Sequence, residues 1–334
     1  MTVMAQTTAA AAPPRHTNKV VIALRRFAIS ISVFNIVGYT LLGFEQPWLY
    51  PFIALATAYT TEIVLEIIGA NAQNRPVRFK GNGFKGLAEF LLPAHITGLA
   101  LNMLTYVNDQ WLVMVFGVVV AVGAKWILQA PVRGRFRHYM NPSNFGITII
   151  LLVFPWASIA PPYHFTEKVD TWIGWLIVGI IIVSGTVLNA MLTQRMWLIG
   201  AWVITFALQA ILRGVIFDTA IPGALGMMTG VAFVLYTNYM VSDPGTTPSK
   251  PSSQILFGSG VALAYGFFMS VHVAYGLFLA TASVCLIRGL FLWGLHFSNK
   301  ARLKFEAEQR ELATTTQLRP AESKPDTGSG AIAA

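Results

Sequence analysis

Between residues 26 and 297 the chain returns repeatedly to apolar stretches of about 20 residues, the length at which an α-helix crosses a hydrocarbon core about 30 Å thick. In lipid a helix has the advantage that its backbone hydrogen bonds close within the segment. Composition agrees: 55% of residues are hydrophobic and only 11% charged, against about 25% charged in a soluble domain. The expectation is an all-α polytopic membrane protein.

Segmentation gives ten helices, at 26–43, 47–70, 86–108, 111–130, 143–161, 171–192, 196–217, 221–242, 254–272 and 273–295. The last two are crowded, with "SVHVAYG" as the only turn between them. Around a membrane domain at 25–297, residues 1–24 read as a flexible lead-in. Residues 298–334 read as a tail that is amphipathic from Lys300 and then disordered. The first 19 residues lack the continuous apolar core of a signal peptide.

The cations supply an independent test. With the N-terminus inside, 21 of the 23 Lys and Arg residues fall on one side, and only Lys168 and Arg213 on the other. Cytoplasmic loops carry such an excess, so the sequence predicts both termini in the cytoplasm. The net charge of +9 is then a topological signal and a tether to anionic lipid, not a nucleic-acid footprint. The lone cysteine, Cys285, lies in the last apolar run. A disulfide framework or an iron–sulfur cluster would need more thiols. His95 and His272 are too far apart in sequence to suggest a metal site.

Polar groups inside spans are costly and mark cavities, partners or paths. Glu62 and Glu66 in "TTEIVLEIIGA" share one helix face, where mutual repulsion would suit a cation or proton site. In "GLAEFLLPAHITGLALNML", Glu89 and His95 flank Pro93. A proline removes a helix hydrogen bond, so this span is expected to be discontinuous and to border an internal site. Two Asx-Pro strings, Asn141-Pro142 in "HYMNPSNFGI" and Asp243-Pro244 in "MVSDPGTTPSKP", read as helix starts that leave free N–H groups for an anion. Arg133, Arg135 and Arg137 beside the first, and Thr246 and Thr247 in the second, are candidate partners for a phosphate or a polar cofactor ring. Plain capping and the positive-inside rule account for the same residues without a ligand.

Three longer stretches, "RPVRFKGNGFKGLAEFLLPAHITGLAL", "GAKWILQAPVRGRFRHYMNPSNFGITIILLVFPW" and "GVAFVLYTNYMVSDPGTTPSKPSSQILFGSGVALAYG", resemble in order and spacing the RnfD/NqrB family of membrane proteins, found in the Rnf electron-transport complex and in the sodium-pumping NADH:quinone reductase. The likeness covers roughly residues 25 to 295. It is strongest to a compact branch, the UnbU-type proteins of enediyne biosynthesis clusters, in strings such as "FLLPAHI", "NPSNFGI" and "YMVSDPGTTP". The resemblance implies two inverted five-helix halves similar to a urea channel, in a bacterial-type inner (plasma) membrane. It also implies a flavin, FMN or riboflavin, with Asn141, Pro142, Asn144, Gly146, Asp243, Pro244, Thr246, Thr247, Arg135 and Arg137 as candidate binding residues.

The Ser-Gly-Ala-Thr type motif that carries covalent FMN in the family is absent from the sequence. The nearest string is Ser184-Gly185-Thr186, and Thr166 lacks the right neighbours. Any flavin is therefore expected to be non-covalent.

Three functions follow. One is a redox subunit passing electrons for membrane or biosynthetic partners. A second is a transporter or channel for a small organic molecule or ion, with Glu62, Glu66, Glu89 and His95 along the path. The third is a scaffold using the Gly226/Gly230 pair as a close-packing face.

Overall fold

The computed structural model describes residues 18–317 apart from Asn82 and Arg133. Arg133, the end of the tail expected to be disordered, from residue 318, and the first 17 residues of the expected lead-in lie outside the described residues. The chain divides into two compact units, Met1–Gly289 and Leu290–Ala334.

Each of the ten apolar segments contains helix, but those expected at 86–108 and 143–161 end early and run into short strands at Thr105–Tyr106 and Ser158–Ile159. α1 (Asn18–Val37) begins within the stretch expected to be a flexible lead-in and ends in a π-helical turn, Gly38–Leu42. It is followed by α2 (Tyr50–Ala72), α3 (Gly83–Leu104), α4 (Trp111–Ile127) and α5 (Pro142–Val153). α6 (Thr171–Val187) also runs into a π-helical turn, Leu188–Thr193, and α7 spans Met196–Phe217. The eighth segment is α8 (Ile221–Gly226) and α9 (Val231–Leu235), joined by a short 3₁₀ turn and extended by π-helical Tyr236–Met240. α10 (Pro251–Ser270) and α11 (Gly276–Gln317) complete the order. The crowded last pair is two separate helices, and the helix expected from Lys300 is continuous with the final one.

Among the described residues, seven of these helices are long and apolar enough to cross a membrane. α4 and α5 are shorter, and the α8–α9 pair is bent by 61°. The molecule is thus an all-α polytopic membrane protein.

One expected break is misplaced. α3 runs unbroken through Pro93, and the interruption falls at Gly226–Gly230 instead. The Pro93 ring lies on the wall of a cavity. Within the chain the Gly226/Gly230 pair packs against no other helix: a Cβ on Gly226 would meet nothing within 4 Å, and one on Gly230 would lie 3.4 Å from the Met227 carbonyl oxygen.

The two sets of five helices echo each other. α1 and α6 each end in a π-helical turn capped by a left-handed residue, Gly43 at φ 68° and Gln194 at φ 55°. α2 packs along α3 and α4, as α7 packs along α10. In the first set, buried Asn102 of α3 donates to Asn35 Oδ1 of α1 at 2.9 Å. In the second, buried Asn189, after α6, donates to the Asn238 carbonyl, after α9, at 2.8 Å.

Two small ribbons close opposite ends. β2 (Gln129–Val132) pairs with β3 (Arg135–His138) as a hairpin between α4 and α5. β1 (Thr105–Tyr106) pairs with β4 (Ser158–Ile159), and the Ala160 N–H adds a bond to the Leu104 carbonyl at 3.0 Å.

Candidate functional site

The site is a cavity of about 2060 Å³ lined by α1, α3, the α2–α3 loop, the β3 strand and the broken α8–α9 segment. Ligand pockets usually hold about 300–1,000 Å³, so this one exceeds the needs of a drug-sized molecule. Along α3 the lining recurs with helical periodicity, at Glu89, Pro93, Ile96, Ala100 and Met103. Lys85 and Leu104 line it too, so it follows almost the whole helix, about 33 Å at 1.5 Å per residue.

One end is formed where three loops meet. Arg78 in the α2–α3 loop lies over the Trp126 ring of α4 at 5.4 Å, and Lys125 Nζ reaches Glu62 Oε2 of α2 at 2.7 Å. A Cβ on Gly245 would sit 3.0 Å from His138 Nε2, so the 243–247 turn abuts the hairpin. Lys80, Lys85, Arg137 and His138 face the cavity here. Burial lowers the His138 pKa, with the Asp243 carboxylate pulling the other way and Lys125 and Arg137 adding to the depression. A neutral imidazole is therefore favoured at neutral pH.

The middle is apolar and aromatic. Tyr239 sits edge-on to Phe27 at 5.0 Å and to Phe34 at 5.9 Å, tying the second set of helices to α1. At the far end Phe165 lines the cavity, and its neighbour His164 stacks on Phe44 at 3.7 Å. His164 Nε2 is buried without a hydrogen-bond partner among the described residues, and burial pushes its pKa down to about 4.

The carboxylates differ from expectation. Glu62 and Glu66 each hold a cation of their own. Glu66, fully buried, accepts from Arg75 at 2.5 and 3.1 Å and from the Arg78 backbone N–H at 2.8 Å. Glu89 pairs with Arg25. Glu62 and Glu89 line the cavity, whereas Glu66 and His95 are not part of its wall.

His95 is committed to α1 and α2. Its Nε2 meets Ser32 Oγ at 2.8 Å and its Nδ1 meets the Tyr59 hydroxyl at 2.6 Å. Ser32 has one proton and donates it to the Ala28 carbonyl at 2.8 Å. The imidazole is thus the Nε2–H tautomer, donating to Ser32 and accepting from Tyr59.

The two Asx-Pro strings part company. Asn141 is the N-cap of α5, as its sequence suggests: Oδ1 accepts from the Asn144 N–H at 3.0 Å. Its Nδ2 donates to the Met240 carbonyl at 3.1 Å, so the side chain joins α5 to the broken segment. Pro142 follows as the first helical residue. Asn144 donates to the Phe278 carbonyl at 3.0 Å. Gly146 is a contact point, since a Cβ there would lie 2.7 Å from Ala121 Cβ, the Gly117 carbonyl and Leu101.

No helix starts at Asp243, and α10 begins at Pro251. The residues leading to α10 form a turn, in which Asp243 accepts from the Gly245 N–H at 3.1 Å and from Thr246 Oγ1 at 2.9 Å. The anion site expected at a helix N-terminus is therefore absent here. Of the expected arginines, Arg137 faces the cavity, while Arg135 is exposed on the hairpin outside the lining.

Sequence reasoning passed over the residues that brace this turn. Arg195 Nε donates to Thr247 Oγ1 at 2.8 Å, and Arg288 donates to the Thr246 carbonyl at 2.8 Å. An arginine inside an apolar run, as Arg288 is, is costly enough to have been the signal. Lys125 and His138 were visible only as members of a cation cluster.

The Ser184-Gly185-Thr186 string is packed inside the second set of helices. Thr186 lies within α6, and a Cβ on Gly185 would collide with Asn238. Compared with known proteins, the chain matches no family model and no curated protein.

Proposed function

We propose that the chain is a plasma-membrane protein of the RnfD/NqrB type that holds a flavin non-covalently in the cavity and serves electron transfer to membrane or biosynthetic partners. The observation that carries this reading is a large cavity among apolar helices with a basic rim and an aromatic wall, in a chain whose motifs resemble that family. In this reading all ten segments pass through the bilayer, with the bent α8–α9 pair as one span, and both termini face the cytoplasm. The echo between the two helix sets supports two inverted halves meeting at the cavity.

The donor set suits a flavin, though not through the residues first singled out. Asn141 and Asp243 use their polar atoms internally, so they shape the rim instead of contacting the ring. Arg137 and Lys80 offer charge to a phosphate, His138 offers a hydrogen bond, and Tyr239 with Phe27 and Phe34 offers a face for a ring system. The flavin, when bound, supplies the electron-transfer chemistry, and the chain supplies position, charge and exclusion of water.

The test is a visible spectrum of the detergent-purified protein before and after dithionite, repeated after acid precipitation. A flavin spectrum that bleaches on reduction and is released by acid is expected. A colourless protein that takes up no added flavin would overturn the reading. It would favour the second one, a transporter for a small organic molecule, which the length of the cavity along α3 supports.

A further inference from the structure

The charge balance at the rim carries more than the flavin reading uses. Each glutamate of this region already has a cation: Glu62 has Lys125, Glu66 has Arg75 and Arg78, and Glu89 has Arg25. Asp243 is engaged by its own turn. Lys80, Lys85 and Arg137 line the same cavity and form no ion pair among the described residues.

Below that rim the wall turns apolar, through Phe34, Ile96, Phe233, Tyr239 and Phe278, and reaches Phe165 at the far end. A small hydrophilic anion would match the rim and leave the rest of this volume without a partner. A wholly apolar molecule would fill the body and leave the rim uncompensated. What matches both is one molecule with an anionic head and a long apolar body, extending along α3 for up to about 33 Å.

We propose that the cavity binds an anionic amphiphile, its carboxylate or phosphate head held among Lys80, Lys85 and Arg137 and its hydrocarbon body along α3 and α9. The assignment rests on the cavity itself and shares Lys80, Arg137 and Tyr239 with the flavin reading, so the two ligands would compete for one site and binding is measured on flavin-free protein. A colourless protein leaves it standing, and a flavin-loaded one does not establish it.

The test uses the full chain in nanodiscs of zwitterionic phosphatidylcholine. Binding is compared for oleate, for oleoyl lysophosphatidate, for neutral monooleoylglycerol and for inorganic phosphate. At least one of the two anionic chains is expected to bind at least ten times more tightly than monooleoylglycerol, and which one does so distinguishes a carboxylate head from a lipid phosphate. Inorganic phosphate is expected not to displace it.

The combined substitution Lys80→Gln, Lys85→Gln and Arg137→Gln is expected to erase the preference. Arg26→Gln, an exposed cation outside the lining, should leave it intact. The three substituted side chains are exposed, so the variant should keep the melting temperature of the parent. Equal binding of the neutral chain, displacement by inorganic phosphate, or a preference that survives the triple substitution would each overturn the proposal.

Discussion

At the scale of single residues, the ionisable groups inside the helices divide into those that hold the protein together and those that face the cavity. Glu66 belongs to the first kind. It is fully buried and serves two arginines of the following loop, so it fixes where the α2–α3 loop turns and leaves no oxygen for a travelling ion. Removing one partner of a buried pair leaves an uncompensated charge and costs about 3–5 kcal/mol. Glu66→Gln is accordingly expected to lower the thermal stability of the purified protein by an amount in that range. Adding Arg75→Gln should recover part of the loss, because the stranded guanidinium goes with it. A melting temperature unchanged by Glu66→Gln would show that the carboxylate is not a structural anchor. The sequence made Glu62 and Glu66 conspicuous through their spacing, but their partners lie 63 and 9 residues away, and spacing along a helix carries no trace of them. Asn141 was legible for the opposite reason, since its cap is made with Asn144, three residues on.

At the scale of helices, close approach is set by glycine where backbone meets backbone. α10 crosses α7 at Gly258, where a Cβ would lie 2.5 Å from the Leu198 carbonyl oxygen and 3.1 Å from the Trp202 nitrogen. Neither obstacle is a side chain that can rotate away. Gly260, two residues on, would bring its Cβ only to 3.9 Å from Val284. Gly258→Ala is therefore expected to destabilise by about 1–3 kcal/mol as an overpacked contact. Gly260→Ala should be neutral or gain up to about 1 kcal/mol from helix propensity. Thermal melts of the two variants decide it, and equal shifts would contradict the crossing geometry. The apolar runs made the helical segments readable because length and hydropathy are local properties. The break was not, since Pro93 carried the stronger local signal for interruption. The chain nevertheless tolerates that proline on a cavity wall and bends at Gly226–Gly230. Asp243 misled in the same way, as an Asx-Pro pair also begins a turn that no helix follows directly.

At the scale of the whole molecule, the cavity brings together groups from most of the chain, from α1 to the first turn of α11. Its rim was partly legible as an excess of cations, while its body, assembled from residues that look like ordinary apolar span, was not. The central claim is that this space exists in the membrane and reaches along α3. Cysteine accessibility tests it most directly, because Cys285 is buried and gives a quiet background. Single cysteines at Glu89, Leu92, Ile96 and Leu104, which line the cavity and are only partly buried, should react with a water-soluble thiol reagent in native membranes, whereas Ala94 and Leu101, fully buried and outside the lining, should not. Reactivity recurring every three to four residues down α3 is the predicted result. Uniform silence, or labelling without that period, would contradict the cavity and the functional reading built on it.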